Sequence, residues 1–215
     1  MARDAYSDLQ VDSGDDGLQR KDLPDDPITL FQSWLQLATD AGVREPNAMS
    51  LATCGADGQP HCRVVLLRQL DDKGFGFFTN KDSHKAEQLR ANARAAATFW
   101  WVEPRARQVR IVGDIQELPE VDSDTYFHCR PRMAQICSAA SPQSQVVKDR
   151  AELEAIVAAF ADKVGDAKVA RPPHWGGYTL LPRVIEFWQG RDARLHDRFR
   201  YQLADASWQV DRLAP

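Results

Sequence analysis

Apolar residues recur along the chain with two periods, and the changes of period mark its elements. Ile28, Phe31, Trp34, Leu35 and Ala38 fall at helical spacing; Asp26 stands ahead of them as an N-cap, Pro27 fills the first helical position and Gly42 marks a stop. From Met49 the period becomes two. A strand at 49–53, a turn at Gly55 to Gly58, a second strand at 61–68 and a third at 75–79 follow from the β-branched and aromatic alternation. Residues 80–83 break the pattern before a short helix that runs to about 92. Strands are predicted at 95–101 and 108–118, and Pro119 opens a helix that carries Tyr126 and Arg130 at i and i+4. Residues 131–147 read as irregular, and 150–164 as an amphipathic helix with Leu153, Ile156, Val157 and Phe160 on one stripe. Strands at 177–181, 184–189 and 198–213, the last with a turn near Asp205, close the chain.

This order is not the regular alternation that builds a parallel sheet. It predicts a mainly β fold with peripheral helices (α+β), an antiparallel barrel that is closed or partly closed. Residues 1–22 are rich in Asp, Ser and Gly and read as a flexible tail, leaving 23–215 as a single domain. No apolar run reaches the ~20 residues of a membrane span, and the polar, acidic first twenty residues lack a secretory core, so the expected compartment is the cytoplasm.

The net charge of −4 argues against a general nucleic-acid binder but leaves room for small anions held by local arginine clusters. Cys54, Cys62, Cys129 and Cys137 form neither a C-x-x-C pair nor a zinc-ligand spacing, so they read as reduced thiols and no metal is expected. The chain has no G-x-G-x-x-G, no Walker A loop, no G-x-S-x-G elbow and no H-E-x-x-H. Demanding chemistry would therefore come from a cofactor held by scattered side chains.

Four constellations carry candidate chemistry. In an extended chain Arg194, His196 and Arg198 project to one side, a placement that favours an anion among them, with Trp188 nearby as a flat apolar surface. A solvated basic edge balanced by Asp192 and Asp197 is the plain alternative. Arg63 and Arg68 bracket an apolar strand, which is also common at ordinary strand ends. Phe78, Thr79, Ser83, His84 and Lys85 lie where a strand gives way to a helix N-terminus, a place suited to phosphate or to simple capping. Tyr126 and Arg130 can converge on one anion, and Gln143 with Ser144 adds neutral hydrogen-bonding groups.

Together these segments resemble the pyridoxine/pyridoxamine 5′-phosphate oxidase family. The motifs run in order from DLPDDP (22–27) through RVVLLR (63–68), FFTN-x-x-S-x-K (77–85), RQV (107–109), YFHCRPR (126–132), QS (143–144), WGGY (175–178), EFWQG (186–190) and RLHDR (194–198) to DRLAP (211–215). The resemblance implies an FMN-binding split β-barrel that works as a homodimer, with each site drawing on both subunits. It implies FMN contacts at Arg63, Val64, Val65, Leu66, Leu67, Arg68, Phe78, Thr79, His84, Lys85, Gln108, Gln143, Ser144, Trp188 and Arg198. It implies substrate contacts at Arg68, Tyr126, Arg130, Ala134, Arg194, Leu195 and His196, with Arg194 and His196 at the reacting end. The implied reaction oxidises pyridoxine 5′-phosphate or pyridoxamine 5′-phosphate to pyridoxal 5′-phosphate, with O2 as acceptor and hydrogen peroxide released. A related oxidase of a bulkier aromatic, as in phenazine biosynthesis, and a non-catalytic flavin- or pyridoxal-phosphate-binding protein are the alternatives.

The chain departs from the family's usual pattern at four places. Arg68 stands for Lys, His84 for Arg and Ala134 for Ser, and residues 10–13 stand at the distance where the family carries an Arg-Arg-x-Tyr lid. Arg68 keeps charge and changes geometry, His84 is a pH-dependent donor, and Ala134 removes a hydroxyl.

Overall fold

The computed structural model of the chain describes residues 17–215. Asp26 accepts the backbone N–H groups of Ile28 and Thr29, and Pro27 opens α1 (Pro27–Asp40) at the position where a missing N–H costs nothing. The helix buries Ile28, Phe31, Trp34 and Ala38, and Phe31 meets the rings of Phe75 and Phe99 edge-on at 4.9 and 4.8 Å.

Nine strands appear among the described residues: β1 (Ala48–Cys54), β2 (Pro60–Leu66), β3 (Gln69–Leu70), β4 (Phe75–Asn80), β5 (Arg94–Trp101), β6 (Arg107–Glu117), β7 (Trp175–Gln189), β8 (Asp197–Ala204) and β9 (Ser207–Arg212). Every pairing is antiparallel, in the order β2-β1-β5-β6-β7-β4-β3, with β8 on β7 and β9 on β8. The ends of that order, β2 and β3, are separated in the chain by only Leu67 and Arg68. A flat sheet cannot satisfy both facts, so the sheet curls into a half-barrel, and the seam is stitched by Leu67 N–H to Asn47 O and Arg68 N–H to Gly76 O. The expected antiparallel barrel with peripheral helices is therefore the observed fold. The main core lies between α1 and the curled sheet, with Phe75, Phe77, Phe99, Ile111, Leu180, Phe187 and Tyr201 at its centre.

The remaining helices are α2 (His84–Ala91), α3 (Glu120–Cys129), α4 (Arg132–Ala140) and α5 (Arg150–Val164). A second, smaller core of Phe127, Ile136, Val169 and Trp175 packs α3 and α4 against the start of β7, with Val157 and Phe160 of α5 on its flank.

Two sequence expectations need correction. The stretch expected to be irregular contains α4, whose Met133, Ile136 and Ala140 recur at helical spacing with Ile136 buried. The two strands expected at 177–181 and 184–189 are the single strand β7, because Pro182 is absorbed by a bulge opposite Gly113 rather than ending the strand. The tail also makes ordered contacts ahead of Leu23: Leu18 donates its N–H to Asp197 at 2.9 Å, and Arg212 donates to Leu18 O at 2.9 Å. Residues 1–16 of the expected tail, with residues 10–13 among them, lie outside the described residues. Among the described residues no helix is long and apolar enough to cross a membrane, and the four cysteines are unbridged.

Candidate active site

The seam brings β2 and β4 to one cavity of about 650 Å³, whose other walls come from α2, α3, α4 and the start of β7. It unites most of the first group of expected residues: Arg63, Val64, Val65, Leu66, Arg68, Phe78, Thr79, Lys85 and Gln143, together with Tyr126, Arg130 and Ala134. Four of these are cationic, Arg63, Arg68, Lys85 and Arg130, and no Asp or Glu lines the cavity. In a chain of net charge −4 this is a local concentration of positive potential facing a partly open cleft.

Three of the four cations, Arg63, Lys85 and Arg130, are held by neutral partners. Lys85 Nζ donates to Gln143 Oε1 at 2.6 Å, Thr79 Oγ1 at 3.0 Å and Ser83 Oγ at 3.2 Å. Arg63 donates to Leu51 O at 3.1 Å, Thr53 Oγ1 at 2.5 Å and Gln88 Oε1 at 3.3 Å. Burial, reinforced by the neighbouring Arg63, pushes the Lys85 ammonium down to about 8. Burial also lowers Arg63 and Arg130; for Arg130, Tyr126 offsets part of the effect and Arg68 adds to it. Desolvated cations without a carboxylate nearby are a site that gains from taking up an anion.

The cavity also holds a stack of aromatic rings. Phe78 stacks on Tyr126 with centroids 4.2 Å apart and on Trp175 at 5.4 Å and 9°. Gly177 makes this possible, since a Cβ there would lie within 2.7 Å of the Phe78 ring. Arg130 sits over the Trp175 ring at 5.0 Å, with Nη2 donating to Ala134 O at 3.0 Å and Ser138 Oγ at 2.7 Å, while its buried Nη1 has no partner.

Tyr126 and Arg130 do share the cavity, but not by the expected helical spacing. Helix α3 ends at Cys129 and Arg130 is extended (φ −78, ψ 152), because Pro131 excludes the helical conformation from the residue before it.

The other expected residues form a second cluster outside the cavity. Trp100, Gln108, Trp188 and Arg198 are direct register partners across β5, β6, β7 and β8, so their side chains stand in one row. The Trp188 ring lies 4.6 Å from His196 and 5.7 Å from the half-exposed Trp100. Arg198 donates to Glu186 at 2.9 Å and to Ala214 O at 2.7 Å. The expected extended run through Arg194, His196 and Arg198 is not present: the chain turns at Asp192–Arg194, with Ala193 and Arg194 at φ +53 and +61, and only from Asp197 does it join β8. Leu195 in this turn is exposed, and His196 Nδ1 accepts the Arg191 N–H at 3.1 Å.

Three further expected residues also lie off the cavity lining. Leu67 is buried in the main core, Ser144 follows Gln143 at φ +72, and His84 lies beside a separate shallow depression with Asp57 and Glu87, its ring 4.6 Å from His61. Conversely, the cavity includes Asn80, Cys137, Ser138, Ser141 and Trp175, which sequence reasoning did not assign. Trp175 had a signal, a large aromatic before two glycines that admit close approach; the α4 residues had none once their segment was read as irregular.

Comparison with known proteins bears on these features. Residues 35–163 match the family described as Pyridoxamine 5′-phosphate oxidase, and residues 175–215 match the Pyridoxine 5′-phosphate oxidase C-terminal dimerisation region. A pyridoxine/pyridoxamine 5′-phosphate oxidase of Pseudomonas paraeruginosa is 49% identical over 213 residues, covering 98% of this chain and 99% of the relative. Among solved structures, PhzG from Burkholderia lata, in complex with tetrahydrophenazine-1-carboxylic acid, superposes with a TM-score of 0.86 at 35% identity, covering 93% of this chain and 98% of that one. A pyridoxamine 5′-phosphate oxidase-related, FMN binding protein from Nostoc punctiforme (TM-score 0.69, 16% identity, 87% and 96% covered) shares the fold.

Proposed function

The chain belongs to the pyridoxine/pyridoxamine 5′-phosphate oxidase family, and on that footing we propose that it oxidises pyridoxine 5′-phosphate and pyridoxamine 5′-phosphate to pyridoxal 5′-phosphate with FMN, in sites shared by the two subunits of a homodimer. The observation that carries this reading is the acid-free cavity that Arg63, Arg68, Lys85 and Arg130 line together with the stacked rings of Phe78, Tyr126 and Trp175. Such a cavity suits phosphorylated aromatic rings: the cations take the phosphates and the stacked side chains take the ring faces. The lowered Lys85 and the unpartnered Arg130 Nη1 fit the anionic groups that FMN and the substrate would bring.

FMN, when bound, would supply the two-electron acceptor that no side chain of this site offers, with O2 as the final acceptor and hydrogen peroxide as the by-product. The protein's own part is binding and alignment. Arg63, Lys85, Thr79 and Gln143 would hold the flavin end, and residues 64–66 with Phe78 its apolar side. Arg130 and Tyr126, assisted by Arg68 and bounded by Ala134, would hold the substrate phosphate.

Gln108, Trp188, Arg194, Leu195, His196 and Arg198 would complete the site from the second subunit. Trp175 and Trp188 stand at the two ends of β7, a strand of 15 residues, and at ~3.3 Å per residue they are roughly 40 Å apart along it. Trp188 does not line the cavity that Trp175 lines, and a two-fold partner could bring its far end of β7 to the near end of the first. The match of residues 175–215 to a dimerisation region supports that assembly. With Nδ1 occupied by the Arg191 N–H, neutral His196 carries its proton on Nε2 and would donate from there to the reacting substituent, with Arg194 beside it.

A phenazine-type reading draws on the Burkholderia lata likeness, but 49% identity to a vitamin B6 oxidase against 35% to that protein favours the phosphorylated substrate. The test is peroxide and aldehyde formation when pyridoxamine 5′-phosphate is added to flavin-loaded protein. Stoichiometric release is expected; flavin-loaded protein that releases no peroxide with either phosphate ester would overturn the reading.

A further inference from the structure

We infer that Ser138 is a positioning and specificity residue for the substrate phosphate: it fixes the guanidinium of Arg130 and adds its own hydroxyl to the anion site. The inference rests on the reading above that Arg130 binds that phosphate.

The geometry is specific to α4. Ala134 and Ser138 are one turn apart on the same helix face, and both line the cavity. Arg130 Nη2 donates to the Ala134 carbonyl at 3.0 Å and to Ser138 Oγ at 2.7 Å, so the guanidinium is held at two points by the helix and from one side by the Trp175 ring at 5.0 Å. Nη1 is buried without a partner. A serine hydroxyl that accepts one bond still has a proton to donate, and no acceptor for the Ser138 proton is recorded among the described residues. Ser138 therefore presents a donor at the cavity wall with its oxygen already locked.

The choice of partner matters as much as its place. A carboxylate at Ser138 would neutralise Arg130 and repel a phosphate, whereas a neutral hydroxyl orients the guanidinium and leaves its charge for the ligand. Ala134 offers the cavity only a methyl and a carbonyl that is already engaged. The hydroxyl that position lacks is delivered from one turn further along α4.

The test uses flavin-saturated Ser138→Ala, Ser138→Thr, Arg130→Ala and the double variant Ser138→Ala with Ala134→Ser. Readouts are KM and kcat for pyridoxine 5′-phosphate, the inhibition constant of inorganic phosphate, and flavin content. Ser138→Ala is expected to raise KM and the phosphate inhibition constant together by about tenfold, the loss of one hydrogen bond to a charged group, with kcat changed far less. Ser138→Thr, which keeps the hydroxyl, and the double variant, which returns one a turn away, should regain most of the affinity. The inference is overturned if Ser138→Ala leaves both constants unchanged while Arg130→Ala raises them, a result that preserves the role of Arg130. It also fails if threonine does not rescue although the variant folds and holds flavin. If neither Ser138→Ala nor Arg130→Ala moves either constant, the assignment of this wall to substrate phosphate falls with it.

Discussion

Lys85 is a half-buried ammonium surrounded by Thr79, Ser83 and Gln143, with Arg63 near enough to disfavour its charge. Its folded-state value of about 8 lies below the ordinary 10.5. Below about 8 the ligand-free fold therefore carries a penalty for keeping this lysine charged, and the penalty is relieved as pH rises from there toward the ordinary value. A bound phosphate reverses the preference by stabilising the ammonium. Flavin affinity should accordingly fall as pH rises through about 8, and Lys85→Gln should bind flavin more weakly and flatten that dependence. Fluorescence titrations of FMN from neutral to alkaline pH measure this, and parallel profiles for the two proteins would refute it. Arg130 tests the other end of the cavity. Removing its charged hydrogen bonds should cost about 1.5–3 kcal/mol of substrate binding, roughly a ten- to hundredfold rise in KM. Flavin content should stay intact, and loss of flavin with KM unchanged would reassign the residue.

Among the elements, β7 depends on its bulge. At Gly113 an added Cβ would lie 1.9 Å from the Leu181 carbonyl oxygen, a backbone atom that cannot swing aside. Gly113→Ala should destabilise the fold by about 3 kcal/mol, the upper range for overpacking, and thermal or denaturant unfolding reads the loss directly; an unchanged midpoint would mean the bulge relaxes freely. The same bulge explains why the strand was misread. Pro182 looks like a breaker in sequence, and only the pairing partner shows that its missing N–H falls where the ladder is already irregular. Elements whose signals are local were readable: the Asp26 cap, the stripe of α1, the turn at Asp205 and Ala206 with both residues at positive φ. The turn before β8 was not, because nothing in Ala193 or Arg194 advertises a left-handed backbone. The end of α3 at Cys129 was written in Pro131, but the helical spacing of Tyr126 and Arg130 spoke louder.

For the whole molecule, the motifs named most of the cavity lining, but how the fold gathers the cavity and the strand row could not be read from them. Convergence of Arg63 with Arg130 needs the curl of the sheet, and the row from Trp100 to Arg198 needs strand register; both are long-range facts. If each site joins the cavity of one subunit to the β7–β8 row of another, Arg130→Ala and Arg198→Ala should complement. Each alone is impaired, and random mixing should restore about a quarter of the sites, since half the dimers are mixed and each mixed dimer keeps one intact site. Activity of the mixture no greater than the mean of the two would place the whole site in one chain. The seam at Leu67 and Arg68 bears on how long the protein lasts. It is held by one N–H from each residue, by Asn47 Nδ2 donating to Leu67 O and by the two-residue strand β3, and the exposed Arg68 side chain also lines the cavity. Local opening begins where few bonds must break, and a ligand that binds only the closed form suppresses it. Trypsin finds Arg68 and Lys73 on this stretch, so flavin-free protein should be nicked there and flavin-loaded protein spared. Survival among proteases then follows the supply of cofactor rather than the stability of the core.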